Sequence, residues 1–196
     1  MAKSKDPEIR LALHGKKLRA HRAAPNTIVV DELGLAHAKV RIDVAVISCC
    51  VHGYEIKSSE DTLSRLPVQL DLYTQCLEKL TLVCAPRHLA KAQTMVPDWC
   101  GIIEAQKGNR GGITFETIRR GTKNPNVDPV QLAHLLWRPE AVALLAKHVP
   151  EAKLSKLPRR ELYKSLSELL SVPQLTAAIR EFMQQRQTWR CPPAHA

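Results

Sequence analysis

Residues 51–73 read VHGYEIKSSEDTLSRLPVQLDLY. A carboxylate, one spacer and a lysine (Glu55, Ile56, Lys57) stand inside a short apolar run. Gln69 and Tyr73 follow at the i, i+4 spacing of one helix face. In a strand, side chains two residues apart share a face, so Glu55 and Lys57 point one way while Tyr54 and Ile56 point the other. A surface ion pair would account for the acid and the lysine with little energetic consequence. Metal-assisted chemistry on a phosphate would account for the helix residues as well.

On the N-terminal side, KVRIDVAVISC alternates. Val40, Ile42, Val44 and Val46 are expected on one face, and Arg41, Asp43 and Ala45 on the other. His52 and Gly53 follow the SCCV junction, so the two runs read as a hairpin that brings Asp43 beside Glu55 and Lys57. The three charged groups are expected on the solvent-facing side of that sheet. An acid followed at a distance by acid-x-Lys arises by chance about once in a chain of this size. Placement on adjacent strands, with Gln69 and Tyr73 one helix later, raises the pattern above that level.

The residue types suit phosphodiester chemistry. Two carboxylates and the backbone carbonyl of Ile56 are hard oxygen donors of the kind Mg²⁺ takes while keeping several waters. A lysine on the same face can orient water or neutralise developing charge, and Gln69 could hold Lys57 in place. RID, YEIK and QLDLY, in that order on strand, strand and helix, resemble the PD-(D/E)XK nuclease superfamily, and the Gln-x-x-x-Tyr pair resembles its RecB-type branch. The wider stretch from VVDELGL through PDWCGI is similar to a bacterial family of small predicted nucleases.

The resemblance covers residues 26–106. It implies a restriction-endonuclease-like core, Mg²⁺ with Mn²⁺ able to substitute, and a hydrolase leaving 5′-phosphates, from a bacterial or phage source. It makes Asp43 and Glu55 metal ligands, Lys57 catalytic, and Gln69 and Tyr73 supports of the site. Glu32 is its candidate for a further acid, with Asp31 and Glu8 as rivals. Ile42 stands where the superfamily's proline would be, and no glycine precedes Gln69 at the RecB-type spacing.

The chain has 196 residues, with 29 Lys and Arg against 19 Asp and Glu, a formal charge of +10. That excess suits a polyanion, because each neutralised phosphate releases counterions. DNA is the expected partner. Arg41, Arg65, Lys107, Arg110, Arg119, Arg120, Lys123, Arg159 and Arg160 are its candidate contacts, set against the simpler reading of charge runs as solvated faces. Aromatic residues make up only 4% of the chain, which argues against a base-stacking sheet of the RNA-binding type. The six cysteines show no zinc spacing, the first ten residues are polar, and no apolar run approaches a membrane span. A reducing, cytoplasmic setting away from membranes is therefore expected.

The organisation is expected to be mixed α/β (α+β). A basic helix over 6–24, started by Asp6-Pro7, precedes three strands, a helix opening near Ser58, and further strands at TLTLVCA and CGIIEA. A mixed sheet with flanking helices thus fills residues 1–106. Residues 107–127 read as a basic linker with room for one strand, GITFETI. Residues 128–196 read as a helical region, with prolines 129, 139, 158 and 173 in first turns, offering a surface for a homodimer or protein partner. Two rivals to the nuclease remain at this point. One is a non-catalytic DNA-binding or adaptor protein of the same fold, and the other a helical interaction protein on an α/β scaffold.

Overall fold

The computed structural model of the chain describes residues 3–150, 154 and 156–186. Lys153 in the second basic run and Cys191 lie outside them. Helices α1 (Asp6–Lys16) and α2 (Arg19–Ala23) lead into strands β1 (Ile28–Leu35), β2 (Val40–Ile47) and β3 (Val51–Lys57). Then come α3 (Leu66–Cys76), β4 (Lys79–Cys84), α4 (Leu89–Met95), β5 (Gly101–Lys107) and β6 (Ile113–Arg119). Helices α5 (Pro129–Ala133), α6 (Arg138–Ala146), α7 (Arg159–Leu169) and α8 (Val172–Gln185) complete the chain.

All six strands form one sheet in sequence order. The first three are antiparallel, β3, β4 and β5 run parallel, and β6 returns antiparallel. The mixed α/β architecture with flanking helices is as the sequence patterning leads one to expect. A parallel step needs a crossover, and α3 and α4 supply the two that the sheet requires.

Several details differ from the sequence reading. The N-terminal helix breaks at Lys17 and Leu18, and the Leu18 side chain is buried at the break. Lys5 is the helix cap, and Asp6 lies inside the first turn, where it reaches Arg10 one turn on. Helix α3 starts at Leu66 and not near Ser58. Asp61 instead accepts from the Ser58 backbone N–H and hydroxyl and holds a turn. The strand expected within the 107–127 linker is present as β6, paired to β5.

The helices from α5 to α8 are not a separate body. Leu132, Leu145, Leu162, Ile179 and Met183 share one buried cluster with Ile28, Leu35, Tyr73 and Leu82 on one face of the sheet. On the opposite face Ile9 and Leu13 of α1 pack on Val44, Val46, Tyr54 and Ile56. Burial at roughly 25 cal/mol per Å² drives both layers. Among the described residues, no helix is long and apolar enough to cross a membrane.

The strand alternation changes phase at one place. Val40 and Ile42 pack on the α3 side, while Val44 and Val46 pack on the α1 side, so the four do not share a face. In β1, Val30 and Leu33 both face α3 although they are three residues apart. The pairs Asp31↔Val44 and Leu33↔Ile42 bracket Glu32 and Asp43, and Glu32 has a φ of 54°. A non-glycine residue in the left-handed region twists the strand locally. Both strands therefore turn over at the same step, and the two acids sit at the turnover.

Candidate functional site

Pairing between β2 and β3 runs from Ile47↔Val51 to Val44↔Tyr54 and stops there. Asp43 and Glu55 would form the next pair. Instead the Asp43 carboxylate takes the place of a backbone acceptor: its Oδ2 accepts the Ile56 N–H at 2.6 Å. In an extended strand the N–H and C=O of one residue face the same edge. The Ile56 carbonyl therefore opens toward Asp43, while the Lys57 carbonyl accepts from Ala85 on the other side.

Glu55 and Lys57 face α3 and are buried, 2% and 6% exposed, which corrects the expectation of a solvent-facing trio. Strand β3 is interior to the sheet and covered on both faces, and every residue of it but the half-buried His52 is buried. Lys57 Nζ donates to Glu55 Oε1 at 2.6 Å and to Gln69 Oε1 at 3.1 Å. Gln69 Nε2 donates to the same Glu55 oxygen at 2.9 Å, and the Tyr73 hydroxyl donates to Glu55 Oε2 at 2.6 Å. A buried ion pair holds only if its remaining polar atoms are satisfied. Gln69 and Tyr73 on α3 do that, which is why their i, i+4 spacing matters. Burial first, and then the Glu55 charge, pushes the Tyr73 hydroxyl up, so it stays a donor.

Asp43 lies in a different setting. Its carboxyl is pushed up to about 7, by burial first and then by Glu55. Arg10 of α1 offsets this in part: its Nη1 donates to the Asp43 carbonyl at 2.9 Å and its Nη2 to Asp43 Oδ1 at 3.2 Å. The same guanidinium pairs with Glu32 Oε1 at 2.7 Å and Asp6 Oδ1 at 3.1 Å. Burial alone would lower the Arg10 pKa, but Asp6, Asp43 and Glu32 reverse that and raise it. The sequence reading took Asp6 only as a helix start and passed over Arg10. Their i, i+4 spacing on a basic amphipathic helix is a signal common to many surface pairs.

Among the described residues, no three His, Cys, Asp or Glu side chains form a ready metal cage. Mg²⁺ needs less, since one or two carboxylates and substrate oxygens suffice. The donor set fits such an ion. The Asp43 carboxyl, pushed up by burial and then by the neighbouring Glu55, adjoins the Ile56 backbone, and a cation beside them would offset that repulsion.

The remaining candidates scatter. Arg41 is exposed and pairs loosely with Glu32 at 3.6 Å, and Arg65 is exposed at the start of α3. Lys107 forms an ion pair with Glu8, and Arg110 is exposed at the β5–β6 turn. Arg119 is structural: it donates to the carbonyls of Cys100 and Pro97. Arg120 and Lys123 are exposed but flank the start of β4 and β5, where Thr122 donates to Trp99 and Asn124 to Glu78. That is the end of the sheet away from Lys57. Arg159 and Arg160 are exposed at the start of α7. Of the rival acids, Asp31 pairs with His14 at 2.8 Å. His52 bonds Thr81 and stacks on Tyr54, a structural role.

Comparison with known proteins identifies the chain's kin. The family model described as "Bacteriophage P4 protein cII" matches residues 2–191. The chain belongs to that family. Protein cII of Enterobacteria phage P4 is 27% identical over 155 residues, which is 79% of this chain and 56% of that protein. The chain thus spans little more than half the length of this curated relative. A protein of unknown function from Silicibacter pomeroyi, SPO1766, is 16% identical with a TM-score of 0.44, covering 98% of this chain and 99% of that one.

Proposed function

We propose that the protein is a metal-dependent nuclease, hydrolysing phosphodiester bonds of nucleic acid and acting on DNA as an endonuclease. The observation that carries the reading is the end of the β2–β3 ladder. There Asp43, Glu55, Lys57 and the Ile56 carbonyl converge, with Gln69 and Tyr73 locking Glu55. The order α1, three antiparallel strands, α3 and a parallel strand also agrees with the PD-(D/E)XK resemblance.

In this reading Asp43, Glu55 and the Ile56 carbonyl would hold Mg²⁺ or Mn²⁺, with Glu32 at the margin. A bound ion of this type polarises the phosphodiester and acidifies its water. Lys57 stands two residues from Glu55 on the same face, where its ammonium can orient the attacking water and offset charge developing on the phosphate. Gln69 and Tyr73 keep Glu55 in one rotamer. Restriction, repair, recombination and defence against mobile DNA all use such chemistry.

The test is incubation of purified protein with supercoiled, linear and single-stranded DNA in Mg²⁺, Mn²⁺ or EDTA, beside Asp43→Ala and Lys57→Ala. Metal-dependent cutting by the wild type, lost in both variants, is the expected result. No cutting under any metal would overturn the reading.

The second reading, a non-catalytic DNA-binding or adaptor module, draws on Arg10. Its guanidinium already neutralises Asp43 and Glu32, so the acids are paired without a metal. That module would bind DNA with unchanged affinity in EDTA and in both variants.

A further inference from the structure

A cavity of about 750 Å³ opens between the β1–β2 turn and the C-terminal helices, and Glu32 stands on its rim. Its size falls within the range of ligand sites. Trp137, one of only three tryptophans, lines it while half exposed. The indole is braced and not loose. The Arg186 guanidinium lies 4.4 Å from its ring centre. Arg186 is itself fixed by two bonds to Glu140, at 2.8 and 2.5 Å, and one to the Leu135 carbonyl at 2.8 Å. An apolar ring held rigid at the surface by a nearly buried ion pair is an arrangement the core does not need.

The opposite wall is strained. Ala36, His37 and Ala38 have successive φ values of 49°, 59° and 62°, all in the left-handed region. Three such residues in a row cost free energy, and strain of this kind gathers at functional sites. The turn holds the exposed His37 ring against His134, with centroids 4.0 Å apart, and His134 in turn meets Tyr163 edge-on at 4.5 Å. Burial first, and then His37, lowers His134 to about 4, so that ring is neutral at physiological pH. Arg159, exposed at the start of α7, lines the same cavity.

We propose that this cavity lodges an unpaired stretch of nucleic acid, with a base stacked on Trp137 or the His37–His134 pair and a backbone phosphate at Arg159. Aromatic faces accept any base, and stacking with a nearby cation is how single strands are held without sequence readout. A base inside a duplex offers no free face, so the proposal selects single strands, flaps or melted ends. Glu32 connects the two sites: it borders the cavity and shares Arg10 with Asp43. The inference rests on the nucleic-acid reading above for its ligand class, and on the cavity for its strand state.

The test is binding in EDTA, so that no cleavage enters. Anisotropy of a fluorescein-labelled oligothymidylate is compared with that of a matched duplex. Trp137→Ala should weaken single-strand binding about tenfold, as loss of one stacking partner does. Trp137→Phe should retain most of it. Arg159→Ala should weaken binding and reduce its salt slope by about one.

His37→Gly removes a ring and relieves a left-handed φ, so it should raise Tm by about 2–4 °C while weakening single-strand binding. A purely structural turn would gain the stability and lose nothing else. Single-strand binding at the wild-type level in both Trp137→Ala and His37→Gly would overturn the proposal. So would equal losses on single strand and duplex, or single-strand binding absent from the wild type, which would hand the cavity to a protein segment. Binding through Trp137 without cutting in any metal would retire the nuclease and keep this site; cutting with Trp137 irrelevant would do the reverse.

Discussion

Asp43 and Glu55 are acids at facing positions of neighbouring strands, yet the protein treats them in opposite ways. Glu55 is sealed under α3, with both oxygens engaged by Lys57, Gln69 and Tyr73. Asp43 sits at the strand turnover, with one oxygen on a backbone N–H and the other on an arginine shared with two further acids. The first cluster is closed and directional. The second is partly open, and its cation comes from a helix packed on the far face of the sheet. A closed cluster resists change, while a shared one can exchange partners when a new cation arrives.

The sharpest way to break that contrast is Lys57→Met. It leaves Glu55 buried beside no cation, which costs about 3–5 kcal/mol when a buried pair loses one partner. Chemical denaturation should show that loss, and Glu55→Gln added to Lys57→Met should restore part of it. If Lys57→Met melts like the wild type, Glu55 is not sealed as described.

Arg10→Met tests the open cluster, where hydrogen bonds to charged groups are worth about 2 kcal/mol. Stability should fall by roughly that amount without metal and recover when Mn²⁺ is added, because the acids then have another cation. Mn²⁺ titrated by electron paramagnetic resonance should bind the variant more tightly than the wild type. Equal affinity would mean that Arg10 and the ion do not compete.

The pH dependence separates Asp43 from the core histidine. Asp43 is pushed up to about 7 in the folded chain, against about 3.9 when unfolded. Its contribution to stability is therefore complete below pH 4 and is lost as pH rises through 7, with a slope of at most about 1.4 kcal/mol per unit. His52 is pushed down to about 3, chiefly by burial, so its contribution is complete above about pH 6.5 and is lost as pH falls toward 3. Urea midpoints should lose the decline from about pH 4 to 7 in Asp43→Asn, and the opposite decline from about pH 6.5 toward 3 in His52→Gln. The smallest effect is expected from Lys107→Ala, which removes a surface ion pair to Glu8 and should leave the urea midpoint nearly unchanged in the same assay.

The contrast was only partly legible beforehand. The acid-x-Lys strand and the Gln-x-x-x-Tyr helix could be read directly, because period two and period four fix which residues share a face. The open cluster could not. Arg10 meets Asp43 across 33 residues of chain, and no local period carries that contact. The even alternation of Val40, Ile42, Val44 and Val46 misled, since the phase change at Glu32 and Asp43 leaves no trace in the hydrophobic pattern of β2 alone.

Residue order by itself determined the strands and helices of the core, the mixed sheet, the pairing of Asp43 with the Glu55 strand and the company of Gln69 and Tyr73. These follow from short-range periodicity and turn chemistry. Tertiary structure alone decided that Glu55 and Lys57 are buried, that β6 and α5–α8 belong to the same core, that Arg10 holds Asp43, and that Trp137 and His37 share a cavity with Glu32. Each of these depends on segments far apart in the chain meeting across the sheet, and burial is a property of that meeting, not of any one segment.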